Sequence, residues 1–271
     1  MPMIETDDGT ALYLKEWGDG PAVILIHGWP LSADSRDDQA MAIADHGNRV
    51  IAYDRRGFGR SDQPWDGYDY DTLSDDLAAV IDACDVENPA LVGFSMGGGE
   101  VARYLTRHGG ARKVALVSSV VPMLLQTADH PQGAPQSVFD AMVEGINKDR
   151  ADFFKGFFDE FYGIGVLSHP VSSAHLEWSR QIALQAGLKG TIDCAIAFSS
   201  TDFRPDLASF TMPTLIIHGT ADKTVPIDIT ARAAAKAIPH AHLIEYDGAP
   251  HGILATHKDS VTADLIAFLD G

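Results

Sequence analysis

The sequence is poor in cysteine and in long apolar runs, and each shortage argues against a class of protein. Cys84 and Cys194 are the two cysteines among 271 residues, and they lie far apart, outside any C-x-x-C pair. This argues against a disulfide framework and against a zinc site. No apolar run approaches the roughly 20 residues that a helix needs to cross a bilayer. The N-terminus also lacks the basic and apolar regions of a secretion signal, so we expect the protein to be cytoplasmic.

Basic residues are also scarce, which argues against some classes of binding partner. The chain has 20 basic against 38 acidic residues, a formal net charge of −18 at pH 7. A negative field of this size repels phosphate backbones and anionic lipid surfaces. We therefore expect neither nucleic acid nor a membrane as partner, and the sequence leaves open whether the chain forms a homo-oligomer.

Continuous apolar runs are present instead, and they predict a mostly parallel sheet. Runs that do not alternate with polar residues are typical of parallel strands covered on both faces. Helical patterns separate them, which favours an α/β fold with a doubly wound sheet. The predicted strands are 22–26, 49–53, 90–94, 114–117, 214–217 and 242–246, and the predicted helices include 72–81, 229–238 and 260–269. An alternating segment, 11–17, predicts an antiparallel edge hairpin closed at 18–21.

This alternation of strands and helices breaks between about residues 121 and 204. No strand-like run occurs there, but aromatic residues are frequent. We interpret the segment as a helical cap over the C-terminal edge of the sheet. The predicted domains are therefore an α/β core, 1–120 and 205–271, and a cap, 121–204.

Ser95 carries the clearest functional signal. It lies in Gly93-Phe94-Ser95-Met96-Gly97, between a strand-like and a helix-like segment. In that context the G-x-S-x-G pattern predicts a nucleophile elbow, a tight turn that lifts the serine hydroxyl above the sheet. Small flanking residues are expected because such a turn leaves no room for side chains.

A serine hydroxyl needs a base within hydrogen-bond reach, and the base needs an orienting group. Asp222 and His251 each follow a predicted strand, in the order acid then histidine that this elbow requires. Reacting groups in open α/β sheets gather at the carboxyl ends of strands. Asp228 is a weaker alternative acid because it lies at a predicted helix start, and His240 and His242 lack the neighbours of a metal site.

The negative charge that develops on a substrate oxygen needs two hydrogen-bond donors. One is expected to be the main-chain N–H of Met96, next to the nucleophile, and the other should lie in the loop at 27–31. Pro30 has no N–H, so we assign the second donor to Trp29. The segment 54–61 contains G-x-G but lacks the third glycine of a dinucleotide loop, and we interpret it as a structural turn behind the site.

These motifs resemble the bacterial arylesterases and cofactor-free haloperoxidases (perhydrolases) of the α/β-hydrolase fold. The matching segments are 27–30, 54–62, 93–100 and 249–252, with further similarity at 70–72, 161–163 and 201–206. The resemblance implies the same triad and oxyanion donors, no cofactor and no metal. It also implies an acyl pocket lined by Phe139, Phe157, Phe161, Phe198, Val225 and Ile227. Where family members often carry an aromatic residue after Ala33-Asp34, this chain has the polar segment 35–38.

From the triad we expect hydrolysis of small carboxylic esters through an acyl-enzyme on Ser95, and the resemblance implies that aryl esters are among them. The resemblance adds perhydrolysis, in which hydrogen peroxide replaces water and the released peracid oxidises halide. A lactamase or amidase is the nearest alternative because it uses the same acyl-enzyme. A small-molecule receptor with little turnover is an alternative of a different class.

Overall fold

The structure is a computed structural model that describes residues 3–271. Its sheet runs in the order β1-β2-β4-β3-β5-β6-β7-β8, with β1 and β2 antiparallel to their neighbours and all other pairs parallel. The strands are β1 (Met3–Glu5), β2 (Ala11–Trp17), β3 (Ala22–Ile26), β4 (Arg49–Tyr53), β5 (Ala90–Phe94), β6 (Lys113–Val117), β7 (Thr214–Gly219) and β8 (Ala241–Tyr246). The predicted α/β-hydrolase fold is confirmed.

Helices follow most of the strands, and two short 3-10 helices lie at Ala33–Arg36 and Arg204–Ser209. The α-helices are α1 (Asp37–Asp45), α2 (Tyr70–Ala83), α3 (Met96–Arg107), α4 (Gln136–Phe161), α5 (Ser173–Gln185), α6 (Leu188–Ser200), α7 (Ala231–Ala237), α8 (Ile253–Thr256) and α9 (Lys258–Asp270). The start of α2 differs from the prediction. Asp69 caps this helix by accepting a hydrogen bond from the Thr72 N–H at 3.0 Å, so the helix begins at Tyr70, before the predicted start at residue 72.

The hairpin predicted for 11–17 and 18–21 is wrong. β2 is antiparallel, but it pairs with β1 and β4 rather than with the following strand, β3. The reason is burial: the side chains of residues 23–26 are fully buried, and β3 lies between two parallel neighbours, β4 and β5. The half-exposed β2 is suited to a position near the edge of the sheet.

The strand order reverses at β3, and this reversal creates the position for a site. The connection from β3 to β4 leads in one direction along the sheet, and the connection from β5 to β6 leads in the other. Because such crossovers are right-handed, α1 and α3 cover opposite faces, and a crevice opens at the carboxyl ends of β3 and β5.

Three helices, α4 to α6, lie between β6 and β7 in the chain, where the sequence predicts a cap. The division at residues 120 and 205 stays a prediction. In the described residues, no helix combines the length and apolarity that crossing a membrane requires.

Candidate active site

Ser95 connects the end of β5 to the start of α3. Its backbone has φ 54° and ψ −119°, a left-handed conformation that non-glycine residues rarely adopt. Because the first turn of α3 begins at Met96, the partial positive charge of the helix N-terminus lies next to the serine. The strand, turn and helix expected around a nucleophile elbow are therefore present.

The two glycines of the elbow are required by backbone packing. A Cβ on Gly93 would lie 2.6 Å from the carbonyl oxygen of Gly97, and a Cβ on Gly97 would lie 2.8 Å from that of Ile26. These added atoms would collide with α3 and with β3, and not with Ser95 itself. The small residues therefore allow α3 to approach the sheet closely enough to hold the turn.

The structure brings Ser95, His251 and Asp222 together. The Nε2 atom of His251 lies 2.9 Å from Oγ of Ser95, and its Nδ1 atom lies 2.7 Å from Oδ2 of Asp222. Asp222 follows β7, and His251 lies between β8 and α8. All three residues are buried, so water does not weaken these contacts. The ring of His251 packs against those of Phe94 and Phe161, with centroids 5.3 and 4.8 Å away.

The Asp222 carboxylate is held in its charged form. Burial by itself raises the pKa of this group, but the charge of His251 and hydrogen bonds from His218 and His251 outweigh burial and hold the pKa at about 2. The Val225 N–H donates to Oδ1 at 2.8 Å, and Nε2 of His218 lies 3.2 Å from Oδ2. The carboxylate therefore stays ionised at neutral pH, where it can orient the Nδ1–H of His251.

The two expected oxyanion donors belong to two segments next to the serine. The Met96 N–H is the first of α3, and the Trp29 N–H belongs to the loop after β3; neither donates a hydrogen bond within residues 3–271. The loop approaches the serine closely, since a Cβ on Gly28 would lie 2.9 Å from Cβ of Ser95. The Trp29 ring is fixed by an Nε1–H bond to the Thr191 carbonyl at 2.9 Å.

A cavity of about 150 Å³ opens onto Ser95 and His251. Its walls are mostly apolar, with Glu160 and Lys223 as charged lining residues. Of the residues expected in an acyl pocket, four line it: Phe139, Phe157, Phe198 and Val225. The other two do not, because Phe161 packs against the imidazole of His251 and Ile227 is buried away from the cavity.

Similarity to known proteins shows to which family the chain belongs. The family of proteins with the α/β-hydrolase fold matches the chain over residues 21–258. The chain belongs to the α/β-hydrolases. A non-heme chloroperoxidase of Kitasatospora aureofaciens is 40% identical over the full length of both chains. A bifunctional esterase/perhydrolase of Acinetobacter calcoaceticus is 39% identical over 99% of each. The crystal structure of a bromoperoxidase from Bacillus anthracis superimposes with a TM-score of 0.96 at 42% identity, covering 100% of this chain and 99% of that one.

The alternative candidates lie outside the site of this hydrolase. Asp228 is exposed and pairs with Arg232 at 2.7 Å. His240 is exposed and lies 2.8 Å from the carbonyl oxygen of Met212. In the part of the chain that the structure describes, no group of three or more histidine, cysteine or acidic side chains is arranged to hold a metal.

Sequence reasoning missed His218, which lies beside Asp222. It precedes that residue by four positions at the end of β7, in a segment that reads as an ordinary connection. Sequence reasoning predicted a structural turn at 54–61 but missed that Arg55 in this segment is fully buried and pairs with Glu100 of α3. The sequence signal for both is a polar residue just after an apolar run, 214–217 for His218 and 49–53 for Arg55.

Proposed function

We propose that this protein is a serine hydrolase that cleaves small carboxylic esters, including aryl esters, through an acyl-enzyme on Ser95. The observation that carries the proposal is the unbroken hydrogen-bonded series from Ser95 Oγ through His251 to Asp222, with distances of 2.9 and 2.7 Å. The relative from Acinetobacter calcoaceticus, named an esterase/perhydrolase, supports it.

In the acylation step, Nε2 of His251 takes the proton of the Ser95 hydroxyl as Oγ bonds to the ester carbonyl carbon. The carbonyl oxygen becomes an oxyanion and accepts hydrogen bonds from the Trp29 and Met96 N–H groups. His251 then gives its proton to the leaving alkoxide or phenoxide oxygen as the C–O bond breaks. The charged Asp222 stabilises the imidazolium throughout.

Water completes the cycle. His251 takes one proton from the water, whose oxygen bonds to the acyl carbon, and the oxyanion forms again in the same place. When the bond to Ser95 Oγ breaks, His251 returns the proton to the serine and the carboxylic acid leaves. A cavity of about 150 Å³ walled by phenylalanines favours short acyl groups.

Perhydrolysis is a second activity that one observation favours. The Trp29 carbonyl oxygen accepts no hydrogen bond within residues 3–271, so it is free to accept one from hydrogen peroxide at the acyl-enzyme. Attack by peroxide in place of water releases a peracid, which oxidises a halide ion to hypohalous acid and becomes the carboxylic acid. Relatives named non-heme chloroperoxidases support this reading.

The test of the main proposal is hydrolysis of p-nitrophenyl acetate by the wild type, Ser95→Ala and Asp228→Asn. We expect Ser95→Ala to lose at least about 1,000-fold in kcat, since the nucleophile is gone. Asp228→Asn, which removes the alternative acid, should keep wild-type rates. A fluorophosphonate should label wild-type Ser95. Equal rates for wild type and Ser95→Ala refute the proposal, and labelling without turnover favours a receptor.

The Pro30→Leu variant tests the perhydrolase activity. The proline ring restricts the backbone beside the Trp29 carbonyl, and leucine removes that restriction. The ratio of peracetic acid formation to acetate ester hydrolysis is expected to fall in this variant. An unchanged ratio counts against a role for the carbonyl and leaves the esterase assignment intact.

A further inference from the structure

Three fully buried polar side chains lie behind the loop that carries Trp29, and the mechanism above does not use them. They are His27 on the loop, Arg55 after β4 and Glu100 in α3. Burying charged and polar groups is costly unless each is paired. Their hydrogen bonds lead, one after another, to the peptide that provides an oxyanion donor.

The hydrogen bonds of His27 define the form of its ring. Burial, and next the positive charge of Arg55, lower the pKa of His27 well below its usual value, so the imidazole is neutral. The main-chain N–H of Arg55 lies 3.0 Å from Nε2 and can only donate, so Nε2 carries no hydrogen. The single hydrogen of the neutral ring is therefore on Nδ1, which donates to the Gly28 carbonyl oxygen at 3.0 Å; the Nη1 atom of Arg55 lies farther from Nδ1, at 3.4 Å.

This hydrogen bond determines where the Trp29 N–H points. The Gly28 carbonyl and the Trp29 N–H belong to one planar trans peptide, in which they point in opposite directions. The carbonyl is held by two donors, Nδ1–H of His27 and the Leu31 N–H, each at 3.0 Å. Because two donors occupy the carbonyl, the N–H on the opposite side of the peptide is unpaired within residues 3–271 and available to an oxyanion. A rotated peptide would present the carbonyl oxygen to the oxyanion and repel it.

Arg55 and Glu100 hold His27 in turn. An Nη2–H of Arg55 donates to the main-chain oxygen of His27 at 2.7 Å, and the same guanidinium pairs with the Glu100 carboxylate. That carboxylate also accepts the Tyr53 hydroxyl at 2.5 Å. Glu100 is on α3, the helix that begins with Met96. The series of contacts therefore connects α3, which provides the Met96 N–H, to the loop that provides the Trp29 N–H.

We propose that His27 is a positioning residue that aims the Trp29 N–H at the oxyanion, and that the Arg55–Glu100 pair fixes His27 relative to α3. The inference rests on the proposed function, since it concerns the donor for that reaction. Within the segment at 54–61, it gives Arg55 alone a role in positioning the oxyanion hole. The side chains act through the Gly28–Trp29 peptide and do not contact the substrate.

The experiment compares His27→Phe, His27→Gln and Glu100→Gln in p-nitrophenyl acetate hydrolysis. His27→Phe removes the donor to Gly28, so kcat should fall by between about 10- and 100-fold, approaching the loss of one oxyanion donor, while KM changes less than about twofold. His27→Gln keeps a donor and an acceptor and should recover most of kcat. Glu100→Gln should also lower kcat while KM stays nearly constant, but the fall in kcat should be smaller, about fivefold.

A boronic acid with a short alkyl chain provides a second readout, because its adduct with Ser95 places a negative oxygen in the hole. Its inhibition constant should rise in each variant by about the factor by which kcat falls. The matched control is Asp76→Asn, which breaks the buried pair between Arg56 and Asp76, where both hydrogen bonds are 2.6 Å long. This variant should lower Tm and leave kcat and the inhibition constant unchanged.

A folded His27→Phe protein with wild-type kcat and boronate affinity overturns the inference. So does an equal loss of kcat in Asp76→Asn, because the effect would then be general destabilisation. If the wild type has no esterase activity, the proposed function is wrong, but the inference about His27 can still be tested. A crystal structure of His27→Phe then decides the inference by the orientation of the Gly28–Trp29 peptide, which we expect to be rotated.

Discussion

The Nε2 atom of His218 lies 3.2 Å from Oδ2 of Asp222, the same oxygen that lies 2.7 Å from Nδ1 of His251. Nε2 of His218 also lies 2.8 Å from the carbonyl oxygen of Val225, whose N–H donates to the other carboxylate oxygen. His218 thus donates to the turn that follows the acid of the triad and lies beside that acid. One wall of the cavity belongs to that turn, because Val225 lines it.

We therefore expect His218→Phe to lower kcat about tenfold, because the variant loses the hydrogen bond to the Val225 carbonyl and the polar contact to the Asp222 carboxylate. His218→Gln retains an N–H donor and should be closer to the wild type. The measurement is kcat and KM for p-nitrophenyl acetate, with His240→Gln as the control for a histidine outside the site. Wild-type kcat in His218→Phe would show that His251 and Val225 hold Asp222 without it.

The lowered pKa of Asp222 predicts a pH-dependent contribution to stability. An acid whose pKa is lower in the folded than in the unfolded chain stabilises the fold above its unfolded value of about 3.8, and the contribution is lost as pH falls through the folded value of about 2. The shift corresponds to about 2 kcal/mol. The free energy of unfolding of the wild type, measured with urea, should thus fall relative to Asp222→Asn between pH 4 and pH 2. A constant difference over this window would contradict the shift.

Much of the site was predictable because its parts follow strands. Ser95, Asp222 and His251 come directly after apolar runs, and the carboxyl ends of parallel strands meet at one edge of the sheet. Their positions after strands were sufficient to select, from eleven histidines and many acids, three residues that the structure brings together. Hydrophobic patterns likewise predicted the central strands, since continuous burial leaves a continuous apolar run.

The remaining parts depend on contacts that no local pattern encodes. His27 and Arg55 meet only because β3 and β4 lie side by side, and the resulting hydrogen bonds depend on side-chain orientation. The same limit explains the pocket. Phe157 and Phe161 are one helical turn apart in α4, yet the first lines the cavity and the second packs on His251. Helical spacing indicates a shared face but not which ring reaches the substrate.

Arg36 provides a prediction about stability. It is fully buried in the polar segment 35–38, and within residues 3–271 none of its three guanidinium nitrogens has a hydrogen-bond partner. The guanidinium lies 5.9 Å from the Phe94 ring, and burial lowers its pKa to about 9, so it is still charged at pH 7. Replacing an uncompensated buried charge by an apolar side chain should therefore raise the free energy of unfolding.

For Arg36→Met we expect an increase of about 1–4 kcal/mol at pH 7, measured by urea unfolding. The gain should shrink as pH rises above about 9, because the wild-type guanidinium then loses its charge in the folded state. Arg56→Met is the matched control, since Arg56 is equally buried but paired with Asp76, and its loss should destabilise by about 3–5 kcal/mol. Similar destabilisation by both variants would show that Arg36 has a stabilising partner.

The size of the cavity predicts which acyl groups are hydrolysed, and Phe139 offers the cleanest test. Phe157 and Phe198 also line the cavity, but their rings contact the Trp29 ring, with centroids 5.2 and 5.6 Å away. Shortening either would loosen the loop that carries an oxyanion donor. Phe139 lines the cavity without a ring contact to Trp29 in the described residues, so its truncation enlarges the space and leaves the loop in place.

We expect the wild type to prefer p-nitrophenyl acetate to the hexanoate, and Phe139→Ala to raise the hexanoate-to-acetate ratio of kcat/KM at least about tenfold. In Phe157→Ala the kcat for acetate should fall as well, because the packing around Trp29 is lost. The variants are compared at a temperature at which thermal unfolding shows both to be folded. If Phe139→Ala leaves the ratio unchanged, the acyl group does not occupy this cavity, although the triad would still account for hydrolysis.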